Sequence, residues 1–166
     1  VNVFGYEIAF QRQLDFLPGF WKGFGIYTNY TYTTSKAKGI FDGSGDLIRE
    51  NVTLPGTAPH MFNGSLSYEN KKLVLRLSAN FTSSYVDYSD DAGYNADPFF
   101  DRYYDKQFFL DFNGSYAFTR KLRIFSEINN ITNQGLRYYQ GIKERTAQTE
   151  FYGARFNMGI KFDLVK

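Results

Sequence analysis

The stretch that decides the fold is Phe151-Tyr152-Gly153-Ala154-Arg155-Phe156-Asn157-Met158-Gly159-Ile160-Lys161-Phe162-Asp163-Leu164. Successive side chains of an extended chain point to opposite faces. Tyr152, Ala154, Phe156, Met158, Ile160, Phe162 and Leu164 therefore share one face, and Gly153, Arg155, Asn157, Gly159, Lys161 and Asp163 share the other. A strand that is apolar on one side and polar on the other for about ten residues has the length and pattern of a tilted membrane strand. Lipid would meet the first face and a polar lumen the second.

The same pattern recurs upstream. Phe4, Tyr6, Ile8 and Phe10 oppose Gly5, Glu7, Ala9 and Gln11. Phe24, Ile26, Thr28, Tyr30 and Tyr32 oppose Gly25, Asn29, Thr31 and Thr33, and a weaker third strand near His60 turns Phe62, Leu66 and Tyr68 outward. Leu73, Leu75, Leu77, Ala79 and Phe81 define a fourth, Phe108, Leu110, Phe112, Tyr116 and Phe118 a fifth, and Leu122, Ile124 and Ile128 a sixth. With the opening stretch this makes about seven strands. Short turns at 17–22, 69–72 and 119–121 alternate with long polar links at 37–57, 85–106 and 133–150. Short turns on one side and long loops on the other mark an outer-membrane barrel, whose short turns face the periplasm.

Composition agrees. Aromatic residues make up 20% of the 166, with 14 Tyr and 18 Phe but only 2 Met and 4 Pro, a balance that suits strands better than helices. Nineteen basic and 17 acidic residues leave a net charge of +2. No basic run offers the clustered face that nucleic acid requires. Cysteine is absent, which removes disulfides and thiolate chemistry. Val1-Asn2-Val3-Phe4 is strand-like and lacks the basic start of a signal peptide. A bacterial single-chain barrel has an even number of strands, and an open sheet edge in lipid is costly. Seven strands therefore read as part of a larger barrel.

Several stretches resemble the C-terminal region of TonB-dependent receptors, especially those of the Bacteroidota. They are Tyr6-Glu7-Ile8-Ala9-Phe10-Gln11-Arg12-Gln13-Leu14, Leu17-Pro18-Gly19 and Gly23-Phe24-Gly25-Ile26-Tyr27-Thr28-Asn29-Tyr30-Thr31-Tyr32-Thr33. Leu54-Pro55-Gly56-Thr57-Ala58-Pro59-His60 is similar to that family's approach to a descending strand. Ser126-Glu127-Ile128-Asn129-Asn130-Ile131-Thr132-Asn133 with Leu136-Arg137-Tyr138-Tyr139-Gln140-Gly141 resembles the penultimate strand and last loop, and 151–162 the closing strand. One departure is the ending Asp163-Leu164-Val165-Lys166, where such barrels close on an aromatic residue.

The resemblance implies an all-β fold, a transmembrane antiparallel β-barrel of which residues 1–166 supply about seven C-terminal strands out of about 22. It further implies a plug domain and a TonB-engaging segment elsewhere in the polypeptide, a Gram-negative outer-membrane location, and energy-coupled import of a siderophore, haem, cobalamin or glycan. The rival readings are a small stand-alone outer-membrane barrel with a structural or adhesive role, and a soluble β-sandwich or lipocalin-like binder.

No residue constellation suggests catalysis, a metal or a cofactor. His60, the single histidine, is read as a residue at the start of a strand. Asp87, Asp90, Asp91, Asp97, Asp101 and Asp105 crowd the second long link without the calcium-loop spacing, so a solvated outer loop is expected. Tyr103, Tyr104, Arg137, Tyr138 and Tyr139 are the candidates for contact with an imported ligand, through stacking and charge-assisted recognition. The competing expectation for the same aromatics is an interfacial girdle with loop self-packing, and a basic outer loop also suits lipopolysaccharide phosphates. Arg76, Asp111, Arg123, Glu127, Asn129 and Arg155 are expected to face the lumen, bonded to the plug and to neighbours.

Overall fold

In the computed structural model of the chain, residues 1–41, 43–89 and 97–164 are described. The strands are β1 (Asn2–Gln13), β2 (Phe24–Phe41), β3 (Leu47–Val52), β4 (His60–Glu69), β5 (Leu73–Thr82), β6 (Tyr85–Tyr88), β7 (Arg102–Tyr104), β8 (Gln107–Ala117), β9 (Leu122–Asn129), β10 (Leu136–Gln140), β11 (Thr146–Glu150) and β12 (Arg155–Phe162). One sheet runs β1-β2-β4-β5-β8-β9-β12, every neighbour antiparallel, and β3 attaches to the long end of β2. These are the seven strands expected, in chain order. Strand β3 falls in the 40–52 region, but it lengthens the β2 hairpin beyond the sheet and is no eighth wall strand.

Cross-strand register explains why alternation in sequence becomes two chemically different faces. Phe156, Ile128, Phe112, Leu77, Leu66 and Ile26 stand opposite one another in a row across six strands. One residue along each strand, Asn157, Glu127, Asn113, Arg76, Ser67 and Gly25 make the parallel row on the other face. A slip of one residue in any pairing would send a polar set into the apolar face, so the pattern itself pins the register. Met158 and Ile160 each remain 69% exposed. Among the described residues the buried apolar ones are Val52, Ala58, Tyr68, Val86 and Tyr139, of which only Tyr68 lies in the seven wall strands. A contiguous apolar face of this size with nothing packed over it fits lipid contact.

Aromatic rings gather at both ends of the apolar face. At the short-turn end Phe20 stacks on Tyr68 at 4.5 Å, Trp21 on Phe24 at 5.7 Å, and Arg12 lies 5.3 Å from the Phe16 ring centroid. At the other end Tyr6 meets Tyr32 at 5.4 Å, and the Tyr30 hydroxyl is 2.7 Å from His60 Nδ1. Rings with a polar tip suit the boundary between hydrocarbon and water. His60 is the first residue of β4, as expected, and its ring belongs to this upper belt.

Two expectations are corrected. The long links are not simple loops: β6, β7, β10 and β11 form a second, four-stranded sheet in the order β11-β10-β7-β6. Period-two reasoning missed these strands because they are three to five residues long and carry mixed side chains on both faces. The last strand also begins later than the alternation suggests, since Gly153 has φ +71° and residues 151–154 are irregular. Inside that strand Gly159 serves a packing purpose. A Cβ there would come within 2.5 Å of the Phe125 ring, which covers the bare backbone opposite.

The two-faced sheet predicts an asymmetry between neighbours on β5. Leu77→Arg on the apolar face should destabilise the membrane-inserted protein by about 2–4 kcal/mol, whereas Ser78→Arg, which faces Asp111 across the ladder, should change it little. Denaturant unfolding of the full-length protein in lipid vesicles measures both. Equal effects would remove the assignment of faces.

Candidate functional site

The three long links converge above one end of the sheet, and Asp101 is where they meet. The sequence Asp97-Pro98-Phe99-Phe100-Asp101 starts as a turn because Pro presets φ and the Asp97 carboxylate accepts from Phe99 N–H at 2.9 Å. That turn drives Asp101 inward, to 0% exposure. Arg49 of β3 donates to both its oxygens, at 2.7 and 2.6 Å. Gly141 N–H from the third link donates to the Asp101 carbonyl at 2.9 Å. Gly141 has φ +67°, and a Cβ there would lie 2.2 Å from the Phe99 carbonyl, so only glycine permits the approach. The first link is tied again where Gly56 N–H donates to the Val86 carbonyl at 2.8 Å.

Strands β7 and β10 bring the five loop candidates together. Tyr104 stands opposite Tyr138 and Tyr103 opposite Tyr139. On one face the Tyr103 and Tyr139 rings stack at 5.1 Å and 5°. On the other, Tyr104 and Tyr138 meet at 4.7 Å and 51°, with Tyr85 5.4 Å from Tyr104. Arg137 donates to Asp105 Oδ2 at 2.7 Å, to Thr146 Oγ1 at 3.1 Å and to the Lys143 carbonyl, and lies 5.8 Å from the Tyr139 ring. These rings and this guanidinium are largely engaged with one another, the self-packing of the competing expectation carried out by paired strands.

The expectation of a solvated acidic loop is also corrected. Asp87 pairs with Arg102, Asp101 with Arg49 and Asp105 with Arg137, while Asp97 caps its turn. Asp90, Asp91 and Tyr94 lie outside the described residues. Each described carboxylate of this loop thus has an arginine or a backbone amide, and no group of three metal-ligating side chains occurs among the described residues. Burial, then the Asp101 carboxylate, raises the Tyr103 phenol above its ordinary 10.0. Burial likewise raises Tyr85 and Tyr104.

The six lumen candidates fall in three clefts along the polar face of β5, β8, β9 and β12. Below the loops, Asp111, Asn129 and Arg155 line a cleft of about 480 Å³ with Phe109, Gln134 and Tyr152. Midway, Arg76 and Glu127 line one of about 400 Å³ with Asn113 and Phe125. At the short-turn end, Arg123 lines one of about 360 Å³. Asn130 closes the top of the first cleft. Its φ of +58° turns the chain, its N–H donates to Asp111 Oδ1 at 2.7 Å, and its amide spans Gln134 and Gly153 carbonyls at 3.1 and 3.3 Å. Neither Arg49, Asp101 nor Asn130 was among the sequence candidates. Asn-Asn before a loop is a turn signal that marks Asn130, whereas nothing local connects Arg49 to a residue 52 positions away. The arrangement offers hydrogen-bonding clefts on the polar face of the sheet beneath a cap of paired loop strands.

A family profile described as "TonB dependent receptor-like, beta-barrel" matches residues 1–131. The chain is similar in fold to the siderophore receptor PiuA from Acinetobacter baumannii, with a TM-score of 0.67 and 16% identity over 96% of this chain. It spans only 21% of that receptor's length. No curated protein sequence matches.

Two outcomes follow from the loop geometry. Asp101→Ala leaves Arg49 (16% exposed) without its partner and should cost about 3–5 kcal/mol of loop stability. Hydrogen exchange should then speed up at Gly56 and Gly141, in the other two links. The raised tyrosines set a pH limit. The folded loops hold these phenol protons more tightly than the unfolded chain, so their contribution is intact below pH 10.0 and is lost as pH rises through the raised values. Tyrosinate absorbance followed together with exchange should show the loops loosening only above that point.

Proposed function

Because the chain belongs to the TonB-dependent receptor β-barrel family, we propose that it forms part of the wall of an outer-membrane receptor that imports a scarce ligand with energy delivered through TonB. Family members are transporters and not enzymes. In this reading residues 1–166 are the C-terminal portion of the barrel, and a plug domain lies elsewhere in the same polypeptide. The short turns face the periplasm, the loop assembly faces outward, and the apolar face contacts lipid. Basic groups above the upper aromatic belt meet lipopolysaccharide phosphates.

The observation that carries the reading is the pairing of opposites in one sheet. An apolar face without a protein partner backs directly onto a polar face whose clefts run from the loop cap to the short turns. The uppermost cleft supplies a cation in Arg155, an acceptor in Asp111 and aromatic surface in Tyr152, the functional groups that hold a polar chelate, haem, cobalamin or glycan. Tyr103, Tyr104, Arg137, Tyr138 and Tyr139 frame the approach to it and touch ligand with the ring edges their mutual stacking leaves free. A likeness to a siderophore receptor puts ferric chelates first among these classes. A small stand-alone barrel would require β1 to pair with β12 and an even number of wall strands, whereas among the described residues the two strands are not paired with each other and the wall strands number seven.

The test is growth and uptake in a strain deleted for the full-length gene, offered ferric siderophores, haem, cyanocobalamin or oligosaccharides as the limiting nutrient. One class should support growth only with the gene and only with TonB. Arg155→Ala should raise its half-saturating concentration roughly tenfold, the loss of one charge-assisted contact of about 1.4 kcal/mol. Unchanged growth on every class, or uptake that persists without TonB, would defeat the reading.

A further inference from the structure

The cleft at the short-turn end has a composition unlike the two above it. It is lined by Arg120, Lys121, Arg123 and Lys161, with Asp163 the only acid in it. Lys161 stands directly opposite Arg123 in the β9–β12 ladder, and like charges placed directly opposite destabilise a sheet. Nothing among the described residues offsets this repulsion by ion pairing, because the three ion pairs all lie in the loop assembly. The contact of Arg123 with a side chain is a long one, 3.5 Å from Nη1 to Ser115 Oγ. Asp163 is held at the rim by its N–H, which donates to the Lys121 carbonyl at 2.9 Å. The charge is local, since the whole chain carries only +2. It continues more weakly along the rim, where the other short turns hold Lys22, Lys71 and Lys72 against Asp15 and Glu69.

The direction of the cleft selects its occupant. Arg123 and Lys161 stand on the polar face, offset by one residue from the lipid-facing Leu122 and Phe162. A phospholipid would approach from the apolar side, whereas a soluble peptide approaches from the rim, where the cleft ends on the short turn at Thr119, Arg120 and Lys121. Four cations spread over about 360 Å³ suit several carboxylates in succession better than one small anion. We infer that this cleft docks an acidic segment, rich in Asp and Glu, of a separate periplasmic protein. The inference rests on the proposed orientation of the barrel, with the short turns in the periplasm, but not on transport.

The experiment uses the full-length receptor in nanodiscs of zwitterionic lipid and a fluorescently labelled hexaglutamate peptide, read by anisotropy. Saturable binding is expected, weakened roughly tenfold in Arg123→Gln/Lys161→Gln and suppressed at 1 M salt, where screening acts within about 3 Å. Lys71→Gln/Lys72→Gln, on a neighbouring turn, should bind within about twofold of wild type, as expected for exposed charges outside the cleft. No saturable binding, or equal weakening by both pairs of substitutions, would overturn the cleft as the docking site. So would loss of peptide binding when phosphatidylglycerol is included, which would make a lipid phosphate the occupant. The readout is binding alone, so a failed uptake assay leaves it standing, and failed binding leaves transport untouched.

Discussion

A strand in hydrocarbon must have its backbone N–H and C=O groups paired on both edges, since no water is there to substitute. Most of this molecule follows from that requirement. Each wall strand takes its chain neighbours as partners, because short turns permit nothing else on one side and the two-residue period fixes the register on both. Where a wall residue lacks a side chain, its neighbour covers it: the Phe125 ring lies over Gly159 in the unbroken β9–β12 ladder. The requirement also names what remains to be satisfied, the outer edges of β1 and β12, which is why the family's larger closed barrel is the natural setting for this sheet.

Above the membrane the governing interaction is different. Water is present, so the loops need not be strands, yet they form strands and lock together through one buried ion pair. A carboxylate at 0% exposure is tolerable only when fully bonded, and Asp101 meets this by recruiting Arg49 from the first link while its own carbonyl takes Gly141 from the third. Such a pair contributes little net energy, but breaking it is expensive, so its value lies in specifying one arrangement of three loops.

Charge is distributed with the same economy. In the cap each described carboxylate of the second link finds an arginine or an amide, and Arg102 and Arg137 each lie over a tyrosine ring. At the opposite rim cations accumulate with few acids to meet them. The near-neutral total conceals this separation along the barrel axis, which becomes visible only when the strands set the height of each residue.

How much was legible beforehand depends on the range of the forces involved. Alternation at Phe156, Met158 and Ile160, and at Leu73, Leu75 and Leu77, placed the wall strands and their faces, because lipid on one side and lumen on the other impose a period that each strand reports by itself. The same period put Arg76, Asp111, Arg123, Glu127, Asn129 and Arg155 on the polar face. The four loop strands were not legible, since three to five residues with mixed faces leave no period, and the partners of Asp101 and of Tyr103 lie tens of residues away. By itself, then, the sequence determined the sheet, its register and its two faces. Only the tertiary structure decided that the loops join through Arg49 and Asp101, that Tyr103, Tyr104, Tyr138 and Tyr139 stack on one another, and that Arg123 and Lys161 confront each other, because those contacts depend on distance in space and leave no trace in local pattern.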